Sequence, residues 1–162
     1  DILGPLGNGF PIVKDKKAAI IGGGMGIAPL LELSKHLLSP DIYLGFKDTV
    51  FATEEFLQYT NKLYIFTEDG SQGIKGYPTS LLSDNIEKYD LIYTCGPKPM
   101  MKAVKKLCQE KGVECYLSME ENMGCGIGAC YVCSCKSNVD GIYKRVCIDG
   151  PVFNSKEVSF DD

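Results

Sequence analysis

The chain has one histidine, His36, and no serine, histidine and carboxylate set or paired-carboxylate motif that would suit hydrolysis. His36 falls on an amphipathic stretch with no catalytic motif around it, so it receives no catalytic role. Basic charge is scarce: 17 Lys and Arg stand against 21 Asp and Glu, a net charge of −4. Such a chain has no basic field to collect on nucleic acid or an anionic membrane. No apolar run approaches the roughly 18 residues of a membrane-spanning helix, and the opening Asp-Ile-Leu-Gly-Pro lacks the basic and apolar regions of a secretory signal. These absences predict a soluble, cytoplasmic protein. The 18 glycines cluster without a three-residue period, which excludes collagen, and there are no internal repeats or low-complexity linkers. With 44% hydrophobic and 23% charged residues, the chain suits one ordinary globular domain with a small appendage. Because it opens on Asp1 rather than Met, the sequence is expected to be part of a longer polypeptide.

The eight cysteines do not read as a secreted disulfide framework. Cys95, Cys108 and Cys115 are scattered, whereas Cys125, Cys130, Cys133, Cys135 and Cys147 crowd a short tract, a distribution that points to metal binding in a reducing compartment. Composition shifts near Met119, which marks a boundary. Before it, apolar runs alternate with helical periodicity. Strands are predicted at Ala18 to Ile21, Ile42 to Phe46, Leu63 to Thr67, Leu91 to Cys95 and Cys115 to Ser118. Helices are predicted from Ile27 through Leu38 up to Pro40, over Phe51 to Tyr59, after Pro78, and through Met100, Val104 and Cys108. Lys102, Lys105, Lys106 and Lys111 read as a solvated face of that last helix. Apolar strands separated by amphipathic helices imply an α/β fold with a doubly wound parallel sheet over residues 15 to 118. Residues 1 to 14 read as a linker, and residues 119 to 162 as a small module held by its metal.

The tract Cys125-Gly-Ile-Gly-Ala-Cys130-Tyr-Val-Cys133, with Cys147 further on, has the Cys-x4-Cys-x2-Cys spacing and distant fourth cysteine of plant-type iron–sulfur loops. A tight loop must turn several thiolates inward, and Gly124, Gly126 and Gly128 supply the backbone freedom. Structural zinc is the alternative, but zinc modules usually present two close Cys-x2-Cys knuckles and this chain has one. Cys135 could replace Cys133 in a mis-assembled site or pack beside the ligands, and packing is the reading taken.

Gly22-Gly23-Gly24-Met25-Gly26-Ile27-Ala28-Pro29 joins a predicted strand to a predicted helix, where small residues admit a diphosphate and a helix N-terminus attracts negative charge. A tight turn that needs glycine only for its backbone shape is the plain alternative. A second loop, Thr94-Cys95-Gly96-Pro97, lies at the carboxyl end of another strand, and ligands of open α/β sheets gather along that edge. Together the loops predict a dinucleotide crevice, with Cys95 either beside the nicotinamide or packed. Glu68-Asp69-Gly70-Ser71 follows a third strand and is a candidate for ribose hydroxyls, Asp69 among them, with a solvated turn as the alternative; the turn has no basic residue, which favours NADH over NADPH.

Gly4 to Phe10, Ile21 to Pro29, Asp69-Gly-Ser-Gln-Gly-Ile-Lys-Gly76, Cys95-Gly-Pro-Lys-Pro-Met-Met101, Cys125 to Cys130 and Val146-Cys-Ile-Asp-Gly-Pro-Val-Phe153 together resemble the electron-transfer subunits of type B, NAD-dependent dihydroorotate dehydrogenases. The resemblance spans the chain. It implies a ferredoxin reductase-like NAD domain followed by a [2Fe-2S] module with Cys125, Cys130, Cys133 and Cys147 as ligands. It also implies FAD, bordered here by Asn8, Gly9 and Phe10 and by the start of the cysteine module near Glu120. The implied partner is a dihydroorotate-oxidising catalytic subunit of pyrimidine biosynthesis, in a heterotetramer of two copies of each subunit. The flavin-binding barrel of that family, expected before Gly4, is not among these 162 residues. Since NADH gives up two electrons together and an iron–sulfur centre takes one, this stretch alone is expected not to turn over.

NADH-dependent ferredoxin:NADP oxidoreductases and sulfhydrogenase subunits share the glycine loop and the Cys-Ile-Asp-Gly-Pro ending. Those relatives often carry a carboxylate where this chain has Cys125, which favours the dihydroorotate family. Two readings of other classes are a nucleotide-binding regulator with structural zinc and a thiol redox sensor using Cys135.

Overall fold

The structure, a computed structural model, describes residues 4–139 and 141–160. Asp1 and the outermost residues of the expected linker and module therefore lie outside the described residues. The chain divides into two compact units, one running from Ile12 to Cys115 and the other combining the segment up to Pro11 with that from Tyr116 onward.

In the α/β unit, strand β1 (Ala18–Gly23) leads through a short turn at Gly24–Gly26 into helix α1 (Ile27–Ser34). Strands β2 (Asp41–Phe46), β3 (Lys62–Thr67) and the two-residue β4 (Ile74–Lys75) follow, then helix α2 (Pro78–Asn85), strand β5 (Leu91–Cys95) and helix α3 (Lys98–Lys111). Pairing is parallel throughout, in the order β4-β3-β2-β1-β5, which puts β1 inside the sheet. All six residues of β1 are buried, as a strand covered on both faces requires. Alternate side chains face opposite ways. Ala19, Ile21, Tyr43, Phe66 and Ile92 pack with Leu82, Ile86, Val104 and Cys108 on the face covered by α2 and α3. On the other face, Leu30 and Ile27 of α1 come close to Gly22 and Leu44. A strand β6 (Glu114–Ser118) carries the chain onward.

At the amino ends of the strands, the buried Tyr89 hydroxyl donates to Asp41 Oδ2 at 2.7 Å and lies 2.7 Å from the Tyr43 hydroxyl. Asn61 donates to the other oxygen of Asp41 at 2.8 Å. Burial raises the Tyr89 pKa well above the ordinary phenol value, and its hydrogen-bonded neighbours add to the effect.

Three expectations need correction. The helix over Phe51 to Tyr59 is a single helical turn at Glu54–Phe56. Ala52 takes a left-handed φ of 52°, and Phe56 is fully buried while Phe51 and Leu57 are exposed, so this stretch has no apolar stripe to stabilise further turns. Helix α1 stops at Ser34, short of Leu38, which is exposed. The Ser34 hydroxyl donates back to the Leu31 carbonyl at 2.7 Å, and Ser39 takes φ 44° before Pro40. Lys105 is buried, whereas Lys102, Lys106 and Lys111 are exposed; its place beside Val104 and Cys108 on α3 turns it toward the sheet.

The cysteine-bearing unit contains β7 (Ser134–Lys136), paired antiparallel with β8 (Tyr143–Arg145), and β9 (Val152–Asn154), paired antiparallel with β6. Val146, Phe153 and Val158 are buried, so the unit has a small apolar core as well as its cysteines. The segment before Pro11 is built into this unit. The Asn8 backbone N–H donates to Gly150 O at 2.6 Å, and the Asn8 amide donates to Ile148 O and Asp149 O at 3.1 and 3.2 Å. Among the described residues, no helix is long and apolar enough to cross a membrane.

Candidate functional site

In the α/β unit, the two predicted loops meet backbone to backbone at the carboxyl edge of the sheet. A methyl group on Gly26 would stand 2.6 Å from the Cys95 carbonyl and from Gly96 N, and one on Gly96 would stand 2.8 Å from Gly23 O. Gly96 has φ 151° and Gly24 φ 53°, backbone shapes that favour glycine. Gly22 makes room instead for Leu30 and Ile27 of α1.

Beside this junction opens a cleft of about 560 Å³, lined by Gly23, Gly24 and Pro97 and, further along, by Lys47, Glu68 and Tyr77. The first residues of α2 and α3 also border it, and neither helix has a side-chain cap. The positive ends of the two helix dipoles leave the cleft suited to an anion such as a phosphate.

Of the predicted nucleotide residues, Gly23, Gly24 and Pro97 line the cleft. Gly22, Gly26 and Gly96 shape it from behind, and Ile27 is buried as a packing residue of α1. Ala28 and Pro29 are exposed outside the lining, and Cys95 is half-buried at the junction. Asp69 is used elsewhere. Its carboxylate accepts from Ser71 N at 3.0 Å and Ser71 Oγ at 2.7 Å, bonds that hold its carboxyl below the usual range. Glu68, its neighbour, is the acidic residue of the cleft, together with the cation Lys47. Sequence reading included Glu68 in the turn after β3 but missed Lys47, because it weighed that turn alone. The register that sets Phe46 beside Thr67 also brings the next residues of the two strands together.

In the other unit, Gly126 and Gly128 take φ 72° and 78° and bend the chain after Cys125. The bend aims backbone N–H groups at sulfur. Ala129 N and Cys130 N donate to Cys125 Sγ at 3.2 and 3.4 Å, and Cys125 N donates to Cys130 Sγ at 3.3 Å. Led by the bond to Cys130, these interactions pull the Cys125 thiol down to about 6. Cys133 and Cys147 form a second, buried pair: Cys147 N donates to Cys133 Sγ at 3.5 Å, and Val146 N donates to Cys133 O at 3.0 Å. Burial, then the Cys133 thiol, pushes Cys147 up. Gly124 is required by the first pair, since a methyl group there would stand 2.8 Å from Cys130 Sγ. Among the described residues, no three His, Cys, Asp or Glu side chains converge on one point as the ligands of a single ion would. Cys135 is buried on β7, and burial pushes its thiol up to about 11.

Sequence reading overlooked Arg145. Its guanidinium donates to Gly128 O at 3.2 Å and to Asp149 Oδ2 at 3.2 Å, and lies 5.1 Å from the centre of the Tyr131 ring. One side chain thus ties the cysteine loop to the turn after Cys147. The signal was a lone Arg two residues before a candidate ligand, too local to show what it reaches.

A family model described as the iron–sulfur cluster binding domain of dihydroorotate dehydrogenase B matches residues 120–159, which include all four candidate ligands. The chain is 48% identical over 164 residues to the dihydroorotate dehydrogenase B (NAD(+)) electron transfer subunit of Caldanaerobacter subterraneus subsp. tengcongensis, with 99% of this chain and 66% of the relative aligned. It is 46% identical over 168 residues to the subunit of the same description from Geobacillus sp., with 98% and 64% aligned. The chain is thus similar in sequence to these electron transfer subunits along nearly its whole length. It spans just under two thirds of the length of either relative. A solved structure of an NADH-dependent reduced ferredoxin-NADP oxidoreductase, described in connection with flavin-based electron bifurcation, superposes with a TM-score of 0.85 at 30% identity, over 99% of this chain and 60% of that one. The chain therefore shares its fold with an oxidoreductase of the kind that the sequence reading placed second, while its identity is higher to the dihydroorotate dehydrogenase B subunits.

Proposed function

We propose that these residues form the NAD(H)-binding domain and [2Fe-2S] module of an electron transfer subunit serving a dihydroorotate-oxidising partner. The carrying observation is the division of four cysteines into two pairs, Cys125 with Cys130 and Cys133 with Cys147, each crossed by a backbone N–H to sulfur bond. Two pairs suit two irons with two thiolates each, whereas a single tetrahedral zinc needs all four at one point. Cys135, buried with a raised thiol, is left as a packing residue.

The chemistry requires a flavin to divide the hydride pair and a [2Fe-2S] cluster to carry electrons singly. On this reading, residues 15 to 118 hold NAD(H), with its diphosphate against Gly23, Gly24 and the uncapped start of α3. Residues 119 to 162 hold the cluster and keep its thiolates hydrogen-bonded. Asn8 spends its amide on the 148–150 turn, which leaves Gly9 and Phe10 to border FAD, and a side chain at Gly9 would meet nothing within 4 Å. The partner assembly is a heterotetramer of two copies of each subunit in the cytoplasm, feeding pyrimidine biosynthesis.

The test is stopped-flow mixing of NADH with the cluster-loaded chain and a one-electron acceptor, with and without added FAD. Reduction only in the presence of flavin supports the proposal; fast reduction without it contradicts the division of labour. The similarity to the ferredoxin-NADP oxidoreductase supports a second reading, in which ferredoxin replaces the dihydroorotate-oxidising partner. Co-purification with one or the other partner separates them.

A further inference from the structure

In the cysteine-bearing unit, Arg145 holds the turn that carries Cys147 with its main chain and the loop that carries Cys125 and Cys130 with its side chain. Its carbonyl accepts from Ile148 N, Asp149 N and Gly150 N at 3.2, 2.8 and 3.4 Å, which closes the turn around Cys147. Its guanidinium donates to Gly128 O at 3.2 Å, and Gly128 lies between Cys125 and Cys130. Asp149 Oδ2 accepts both from the Arg145 N–H at 2.7 Å and from Nε at 3.2 Å. Loop and turn are pressed together at this point, since a side chain at Gly128 would collide with Ile148, the residue after Cys147.

The third contact of the guanidinium is with a strained residue. Tyr131, between Cys130 and Cys133, takes a left-handed φ of 59°, which a bulky side chain keeps only when its surroundings hold it there. Ser134 Oγ donates to the Tyr131 carbonyl at 2.6 Å, and the Arg145 guanidinium lies 5.1 Å from the centre of its ring. The cation is thus fixed by Gly128, Asp149 and Tyr131 together, and two of these three belong to the span from Cys125 to Cys133.

A charge held so firmly beside candidate ligands acts on whatever they bind. Two ferric ions, two sulfides and four thiolates sum to a dianion; one added electron reduces one iron to the ferrous state and leaves a trianion. A fixed cation nearby favours the trianion over the dianion, and a fixed anion opposes it. Arginine keeps its charge at any working pH. Building on the [2Fe-2S] reading above, we propose that Arg145 is a positioning residue whose fixed charge raises the reduction potential of the cluster, with Asp149 as the counter-charge that limits the rise.

The experiment is a potentiometric titration of the cluster-loaded chain, followed by visible absorption and by the electron paramagnetic resonance of the reduced state, for the wild type, Arg145→Gln, Arg145→Lys and Asp149→Asn. Arg145→Gln is expected to lower the midpoint by about tenfold in the reduction equilibrium, which for one electron is about 59 mV. Asp149→Asn is expected to raise it. Arg145→Lys keeps the charge without the fork and is expected to stay nearer the wild type than Arg145→Gln does. A clasp that only held the loop together would move the midpoint the same way whichever partner is removed. Shifts of one sign in Arg145→Gln and Asp149→Asn, or no shift in either, therefore overturn the proposal. If Arg145→Gln holds no cluster, Asp149→Asn decides alone: a higher midpoint supports the role, and an equal or lower one overturns it. A wild type that takes up no iron and sulfide overturns the cluster reading itself.

Discussion

Gly26 and Cys95 lie in backbone contact: a single added carbon at residue 26 would sit 2.6 Å from the carbonyl carbon and oxygen of Cys95. The glycine-rich turn after β1 and the turn after β5 are thereby locked together, and the cleft opens beside that lock. Backbone atoms cannot yield as the tip of a flexible side chain can. Gly26→Ala is therefore expected to shift the end of β5 and destabilise the chain by about 1–3 kcal/mol. NAD⁺ affinity should fall with it. Urea denaturation and nucleotide titration of the variant check both effects.

Gly124 stands in the same relation to Cys130. A methyl group at residue 124 would lie 2.8 Å from Cys130 Sγ, so Gly124→Ala must displace a proposed ligand. Iron content after reconstitution should drop in this variant, while NAD⁺ binding by the α/β unit stays at the wild-type value. Full iron content would show that the thiol has room to move.

Arg145 joins Gly128, Asp149 and the Tyr131 ring through one planar cation. Lysine lacks the fork that makes two such bonds together. Arg145→Ala is expected to bleach faster than wild type under a chelator, followed by visible absorption, with Arg145→Lys recovering only part of the difference. Equal bleaching rates for all three would make the guanidinium incidental.

The Tyr89 phenol, buried and hydrogen-bonded to Asp41 and Tyr43, is raised above its unfolded value near 10. A group raised on folding stabilises fully below its unfolded pKa and loses that contribution as pH climbs toward the folded one. The stability gap between wild type and Tyr89→Phe should thus be constant up to about pH 10 and shrink by about 1.4 kcal/mol per pH unit above it. Denaturation midpoints of both proteins at pH 8, 10 and 11 test this. A gap that does not change with pH would mean that Tyr89 ionises equally well in both states.

What the sequence made legible was local. The β5 strand and the helix after it were readable because an apolar run, a Gly-Pro break and a period near 3.6 follow one another directly. The cysteine spacing was readable because three of the four candidate ligands fall within one loop. Features set by the sheet were not. Glu68 and Lys47 follow different strands and come together only through register, so the turn after β3 was read without Lys47. Lys105 shares its helix with three exposed lysines, and nothing local says that it turns inward. The stretch from Phe51 to Tyr59 has helix-forming residues, but only Phe56 reaches the core. Arg145 acts through a residue seventeen positions away.

The central claim is that the paired cysteines hold a two-iron cluster rather than a single structural ion. Iron, zinc and acid-labile sulfide should be measured per chain on anaerobically purified protein, for the wild type and for Cys147→Ser and Cys135→Ser. The expected result is about two irons and two sulfides in the wild type and in Cys135→Ser, with loss of both in Cys147→Ser. Zinc without sulfide, or loss in Cys135→Ser with retention in Cys147→Ser, would contradict it.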